Sequence, residues 1–269
     1  MRPGFRVRNR IRTLSILLFA LGIFCPARKV GAQDPFELRV EEYEEAAFGA
    51  FTFEEHFIDF ADGTLSSDGT VAPTNHQFHM SSEFTAGIAP EISVGAMLLT
   101  GVVPGQGGLQ YAGWRVLPHL YLPDSWRLPA KFGLTAEFSF QRTIFDESPR
   151  TVELRPVIEK RIRNIQFDLN PSVERSLLRS ETGWIFEPSF RLAYDRNPRF
   201  NLGLEYFSSM GLLSKLLPFG RQVNQLFPDA RWKLKKSVLW DVGVGAGLTQ
   251  SGNHLVLKSR IEYSFGRTR

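Results

Sequence analysis

The sequence contains a single cysteine, Cys25, among its 269 residues. This cysteine falls in the N-terminal stretch that we predict to be removed on export, so the mature chain has none. A chain without cysteine forms no disulfide bonds and no metal site with thiolate ligands. The lack of an unpaired thiol also suits an oxidising compartment, where such a group is a liability.

Long hydrophobic runs are scarce as well. The apolar run from Leu14 to Phe24 is shorter than the about 20 residues that a membrane-spanning helix needs. Five arginines precede it, and the small residues Val30, Gly31 and Ala32 follow it, which is the pattern of a secretory signal peptide. We therefore predict a signal peptide over residues 1–32, cleaved after Ala32, in preference to an anchoring helix or a lipoprotein leader.

The basic character of the chain lies mainly in this leader. Residues 1–32 contain seven Lys or Arg and no Asp or Glu, so their removal changes the formal net charge from +4 to −3. Net charge bears on non-specific binding, for example to nucleic acids, rather than on the fold. The mature chain therefore gives no reason to expect a nucleic-acid partner, and we predict none.

What the mature chain has in abundance is alternation of apolar and polar residues. In residues 77–88, Phe78, Met80, Phe84 and Ile88 alternate with polar or small residues such as Glu83. A period of two indicates a β-strand with two different faces. About twelve such strands are predicted, over residues 47–60, 76–88, 91–102, 109–122, 130–142, 152–162, 165–175, 184–195, 199–208, 225–235, 238–249 and 255–265.

The connections between these strands alternate in length. The connections after odd-numbered strands are mostly long, such as 61–75 and 209–224, and those after even-numbered strands are mostly short, such as 163–164 and 236–237. Outer-membrane barrels have short periplasmic turns and longer extracellular loops. The connection at 123–129 is longer than this pattern predicts.

Alternation alone does not say what the apolar face contacts. In a soluble barrel or sandwich that face points inward, whereas in a membrane barrel it faces lipid and the polar face lines a lumen. The leader and the loop lengths favour lipid, and so do aromatic residues near strand ends, as in interfacial girdles. These are Phe57, Phe60, Tyr121, Trp126, Trp184, Tyr194, Tyr206, Phe207, Trp232, Trp240, Tyr263 and Phe265.

We therefore predict an all-β fold, a closed antiparallel transmembrane β-barrel of about twelve strands over residues 47–269, located in the cell outer membrane. Residues 33–46 form an N-terminal lead-in, and the acidic stretch 41–48 is expected to be solvated. Proline cannot donate to a β-ladder, so Pro118, Pro156 and Pro188 are expected at membrane interfaces or at bulges. The expected partners are outer-membrane lipid and the barrel assembly machinery. The C-terminal sequence Tyr263-x-Phe265 resembles the signal that this machinery recognises.

One hairpin carries a family resemblance. Residues 76–98, HQFHMSSEFTAGIAPEISVGAML, place Glu83 before Gly87 and a tight Ala89-Pro90 turn. This resembles the outer-membrane barrel family named for the meta-pathway of phenol degradation, and Glu174 and Glu205 resemble inward glutamates of its later strands. The resemblance implies a barrel that transports aromatic or hydrophobic compounds.

On the lipid interpretation the polar faces line the lumen. The lumen-lining candidates are Glu83, Glu137, Glu174, Glu187, Arg191, Glu205, Lys258, Arg260 and Glu262. Charges of both signs predict either an ion-pair network inside the barrel or a lining that selects solutes. We predict passage or binding of a small, as yet unidentified solute through the lumen.

Two other functions stay open at this stage, a lipid-acting barrel enzyme and a secreted soluble barrel that binds an apolar ligand. The sequence has no Gly-x-Ser-x-Gly motif, and His76 and Ser82 on one strand face are roughly 20 Å apart, too far for a catalytic pair. Pairing of a serine with His56 or His119 across strands stays open. His76 and His79 point to opposite faces of a strand. We predict no catalytic residues, no cofactor and no metal site.

Overall fold

The computed structural model describes residues 34–44, 47–67, 69–178 and 183–266. The predicted leader lies outside these residues. Each strand pairs antiparallel with its sequence neighbours, and the last strand pairs with the first, so the sheet closes into a twelve-stranded barrel. The strands are β1 (Ala50–Asp62), β2 (Phe78–Ala89), β3 (Ile92–Val102), β4 (Gln110–Tyr121), β5 (Lys131–Gln141), β6 (Arg150–Ile162), β7 (Ile165–Ser176), β8 (Ile185–Asn197), β9 (Phe200–Ser209), β10 (Val223–Lys235), β11 (Val238–Gly247) and β12 (Leu255–Gly266).

The predicted strands are confirmed, and their ends differ from the observed ones by at most three residues. The connections between strands also alternate as predicted, with two-residue turns at 163–164, 198–199 and 236–237 and longer loops at the other end of the barrel. Both ends of the barrel sheet, Ala50 and Gly266, lie on the short-turn side. That side is periplasmic in an outer-membrane barrel, and the long loops are extracellular.

The exposed fractions of neighbouring side chains settle which face is outside. Phe84 and Phe138 are 45% and 41% exposed, whereas Glu83 and Glu137 are 2% and 3% exposed. A water-soluble body would bury the phenylalanines instead. The protein is therefore a transmembrane barrel of the outer-membrane type, and the soluble alternative is wrong. Among the described residues, no helix is long and apolar enough to cross a membrane.

One residue of the predicted aromatic girdle, Phe265, belongs to a cluster of stacked rings at the periplasmic end. The rings of Phe51, Phe84 and Phe265 stack on the outer surface, with centroids 5.6 to 5.8 Å apart around Phe51. Phe60, Tyr121 and Phe207 are not part of an outer girdle, because they are 1%, 4% and 3% exposed and occupy inward positions.

The strand prolines are not at bulges. Pro156 pairs in register with Leu134, and Pro171 pairs with Pro188, so prolines lie side by side on neighbouring strands. None of the register shifts of the barrel falls at these residues, so the bulge alternative is excluded, and a position at the membrane interfaces stays a prediction. A side chain partly replaces the backbone ladder there, because Nδ2 of Asn170 donates to the carbonyl of Pro156 at 3.3 Å.

Candidate functional site in the barrel lumen

The lumen contains a stretch of the protein's own chain, residues 34–44, which we call the luminal segment. At the extracellular end, Nδ1 of His79 donates to the carbonyl of Pro35 at 3.0 Å, and the ring of Phe36 contacts Phe145 in the loop after β5. At the periplasmic end, the hydroxyl of Tyr43 donates to the carbonyl of Leu122 at 2.7 Å, just after β4. The segment therefore runs the length of the lumen before the chain enters β1.

The expectation of a solvated acidic lead-in is wrong for this segment. Glu41 and Tyr43 are only 3% and 7% exposed, and Glu37 is 5% exposed. The backbone amide of Glu41 donates to Oδ1 of Asn170 at 2.7 Å, and the amide of Tyr43 donates to Glu159 at 3.2 Å. Side chains of the barrel wall thus replace the water that the sequence pattern alone suggested.

Alternation within the segment itself explains how it fits. Phe36, Leu38 and Val40 are apolar and alternate with charged residues, so an extended chain presents two different sides. The apolar side packs on two patches of the inner wall. Phe36 belongs to a buried cluster with Ala72, Met97, Leu99, Val103, Ala112, Leu117 and Phe145. Leu38 and Val40 belong to a second cluster with Ile58, Phe60, Phe207, Phe227 and Val256.

Two buried arginines of the wall hold the charged side of the extracellular half. Arg115 is 1% exposed, and it forms an ion pair with Asp34 and a second one, at 3.1 Å, with Glu137. Arg155 contacts Glu153 at 2.9 Å and Glu37 at 3.3 Å. Each arginine therefore joins a carboxylate of the luminal segment to one of the wall.

A similar network holds the periplasmic half. Nη1 of Arg39 donates to both carboxylate oxygens of Glu54, at 3.0 and 2.9 Å. Glu42 contacts both Arg191, at 3.3 Å, and Arg231. Breaking a buried ion pair costs about 3–5 kcal/mol because it leaves an uncompensated charge. These pairs therefore fix where the segment lies.

A lysine of β12 links the wall to the backbone of the luminal segment. Nζ of Lys258 donates to the carbonyl of Leu38 at 2.7 Å and forms an ion pair with Glu205. It also lies over the rings of Phe207 and Phe227, 5.5 and 5.4 Å from their centroids. Lys258 thus connects the charged network to the second apolar patch.

The structure places the lumen-lining candidates of the sequence as follows. Six are buried against the lumen, namely Glu83, Glu137, Arg191, Glu205, Lys258 and Arg260. Three are partly exposed and lie opposite inward-facing positions of neighbouring strands, namely Glu174 opposite Glu153, Glu187 opposite Ser172 and Glu262 opposite Glu54. Contact of any of the nine with a solute stays a prediction.

Sequence reasoning missed the partners that come from the luminal segment. Glu37, Arg39 and Glu42 complete the network, but they precede the first strand, in the stretch for which the sequence predicts a solvated lead-in. The alternation in FELRVEEY, residues 36–43, is the signal that could have identified an extended segment with two sides.

Serine and histidine do come together across β1 and β2, where His56 pairs in register with Ser81. Both face the lumen, and the hydroxyl of Ser81 donates to the carbonyl of Phe36 at 2.8 Å. A lipid-acting barrel enzyme would need this pair on its lipid-facing surface. In this arrangement the serine instead holds the luminal segment.

The buried charges of the lumen are unbalanced. Among the described residues, eleven carboxylates are buried, against five arginines or lysines. A lining with an excess of carboxylates favours cations over anions. The interior therefore has a negative character that the net charge of the chain does not reveal.

Comparison with known proteins shows the fold. No protein-family model matches the chain, and no curated protein matches it. Among solved structures, an outer membrane channel from Pseudomonas putida F1 is similar with a TM-score of 0.57 and 12% identity, over 85% of this chain and 100% of that one. The NanC porin is similar with a TM-score of 0.50 and 7% identity, over 81% and 100% of the two chains.

Proposed function

We propose that the barrel passes a small hydrophobic or aromatic compound across the outer membrane, with the lumen as the route and the luminal segment as a movable gate. The observation that carries this proposal is the apolar patch of the inner wall formed by Ile58, Phe60, Phe207, Phe227 and Val256, which Leu38 and Val40 cover. The lumen of a porin that passes water-soluble solutes is polar and filled with water. An apolar patch on the inner wall favours a different kind of solute.

Movement of the gate is compatible with how the segment is held. It is not part of the sheet, and its contacts with the wall are hydrogen bonds, ion pairs and apolar packing. With the predicted cleavage after Ala32, no longer chain precedes the segment and tethers its N-terminal end. An apolar solute that replaces Leu38 and Val40 on the patch recovers about 25 cal/mol for each Å² of apolar surface that it buries.

Two likenesses support a channel. The solved structures reported above are an outer membrane channel and a porin, although likeness at this identity concerns the fold. The hairpin around Glu83 resembles the phenol meta-pathway family, which implies aromatic or hydrophobic cargo. That family assignment stays a prediction.

Uptake by whole cells tests the proposal. The outer leaflet of a Gram-negative outer membrane resists hydrophobic compounds, whereas simple liposomes let them cross freely. A Gram-negative host that expresses the protein is expected to take up naphthalene faster than the same host without it, and to show no gain for arabinose. Phe227→Gln makes the apolar patch polar and is expected to remove the gain. The matched control Leu213→Gln changes a loop residue that is 53% exposed and is expected to retain it.

Two results would contradict the proposal. Equal naphthalene uptake with and without the protein would exclude a hydrophobic route, and a gain for arabinose alone would favour an ordinary porin. Hydrolysis of phospholipid by the purified barrel in liposomes would instead favour the lipid-acting enzyme.

A further inference from the structure

Three potential metal ligands lie together on β1 and β2. Glu54 and His56 are two residues apart on the inward face of β1, and Glu83 lies directly opposite Glu54 on β2. One donor atom from each residue lies within 4.8 Å of the other two. All three residues are buried, at 4%, 3% and 2% exposure, and they stand on strands of a closed sheet. Rigid elements of this kind hold ligands more accurately than loops do.

Two of these buried side chains have a polar atom without a hydrogen-bond partner. Oε2 of Glu83 has none, although Oε1 of the same carboxylate accepts from Thr85 at 2.7 Å. Nε2 of His56 lies within ion-pair distance of Oε2 of Glu54, at 3.2 Å, and makes no hydrogen bond to any other group. Buried polar atoms are normally satisfied, so an unpartnered carboxylate oxygen and an imidazole nitrogen in one cluster point to a ligand that accepts both.

Charges of both signs surround the cluster. Glu54 lies opposite Glu83 on one side and opposite Glu262 on the other, and like charges directly opposite each other destabilise a sheet. Arg39 and Arg260 both donate to Glu54, at 2.9 to 3.0 Å. Neither donates a hydrogen bond to Oε2 of Glu83.

A cavity of about 90 Å³ lies beside the two glutamates of the cluster. Glu54 and Glu83 line it, and so do Ala50 and Gly87, which lie near the periplasmic ends of β1 and β2. The cavity leaves room for water beside the two glutamates, and Arg39, Glu41 and Glu44 of the luminal segment also line it.

We propose that Glu54, His56 and Glu83 bind a divalent transition-metal ion of the zinc type. One imidazole nitrogen and two carboxylate oxygens are a ligand set that Zn²⁺ accepts, and the cavity supplies room for water as a further ligand. The bound ion gives a partner to Oε2 of Glu83 and to Nε2 of His56. This site does not depend on which compound the barrel transports.

Calorimetric titration of the full mature chain tests the site. The chain is folded in detergent, stripped with a chelator and titrated with ZnCl₂, and the expected result is one ion per barrel. His56→Gln and Glu83→Gln should each lower the affinity by about tenfold or more, as loss of groups at a metal site does. Heat-modifiable gel mobility of each variant shows that the barrel has folded.

Two histidine controls separate this site from other binding. His76→Gln removes an exposed loop histidine, and His119→Gln removes a buried histidine that lines the cavity beside the two glutamates. Both are expected to retain the wild-type affinity. The proposal is overturned if the wild-type chain binds no Zn²⁺, if both ligand variants bind it as tightly as wild type, or if His119→Gln abolishes binding while His56→Gln does not. With Co²⁺ in place of Zn²⁺, the visible absorption band of the bound ion should weaken in His56→Gln.

Discussion

Substitution of Leu38 by alanine should release the luminal segment without unfolding the barrel. Leu38 is 4% exposed and packs on the apolar patch that contains Phe60 and Phe227. The segment lies outside the sheet, so the lost packing affects the equilibrium between its docked and undocked positions. The twelve strands keep their pairing in either position.

The size of the effect follows from the chemistry of the change. Leucine-to-alanine substitutions at buried sites cost about 2–5 kcal/mol. Because the neighbouring side chains of the lumen can partly collapse around the gap, we take the lower part of this range, about 2–3 kcal/mol. Since 1.4 kcal/mol corresponds to a factor of ten, the undocked fraction should rise roughly 30- to 150-fold.

Hydrogen exchange measured by mass spectrometry reports this equilibrium. The amides of Glu41 and Tyr43 donate to wall side chains only when the segment is docked, so their exchange should accelerate by the same factor. Peptides from β1 should exchange as in the wild-type protein. The matched control is Leu98→Ala, which removes the same atoms from a side chain that is 49% exposed on the lipid face. Unchanged exchange at Glu41, or equal acceleration in segment and strands, would refute the reasoning.

Three further predictions follow from other parts of the structure. Burial raises the pKa of Asp146, in the loop between β5 and β6, to about 6. Because the folded loop favours the protonated carboxyl, protease resistance of this loop should be greatest below pH 4 and fall as the pH rises through 6. Asp146→Asn should abolish the change. Gly203→Ala places a Cβ against the carboxylate of Asp229 and should cost about 1–3 kcal/mol, seen as a lower temperature of heat modification, whereas Gly220→Ala meets open space and should be neutral. Deletion of residues 34–44 should open the lumen to ions, and the reversal potential in a planar bilayer should show preference for cations over anions; anion preference would contradict the charge count of the lumen.

The strands could be predicted from the sequence because each residue's face is fixed by its immediate neighbours. In β5, Phe138 faces lipid and Glu137 faces the lumen, as the period of two requires. Closure of the barrel followed from loop lengths and from the need to pair every strand edge in lipid. Alternation is a local constraint and closure of the sheet is a global one. Neither requires knowledge of side-chain contacts inside the lumen.

The contents of the lumen could not be predicted in this way. Phe207 and Phe227 occupy inward positions of strands that also turn charged residues such as Glu205 and Asp229 inward, and alternation gives no reason for this until Leu38 and Val40 are seen to cover them. Likewise the neighbourhood of Glu54 depends on pairing across β12, β1 and β2, which brings together residues about 30 and 200 positions apart in the chain. Contacts between distant residues, rather than local patterns, determine the site.

The charged and apolar contacts of the luminal segment have different roles. Ion pairs such as those of Arg39 and Arg155 exchange hydration for protein partners, so their net contribution to docking is small even though a mismatch is costly. They therefore select one position of the segment along the lumen. The apolar contacts of Leu38 and Val40 supply the net free energy of docking, because they remove apolar surface from a lumen that otherwise contacts water. A compound that competes with the segment gains most by binding where those two side chains lie. For this reason an apolar solute is a more effective competitor for the route than a charged one, even in a lumen rich in carboxylates.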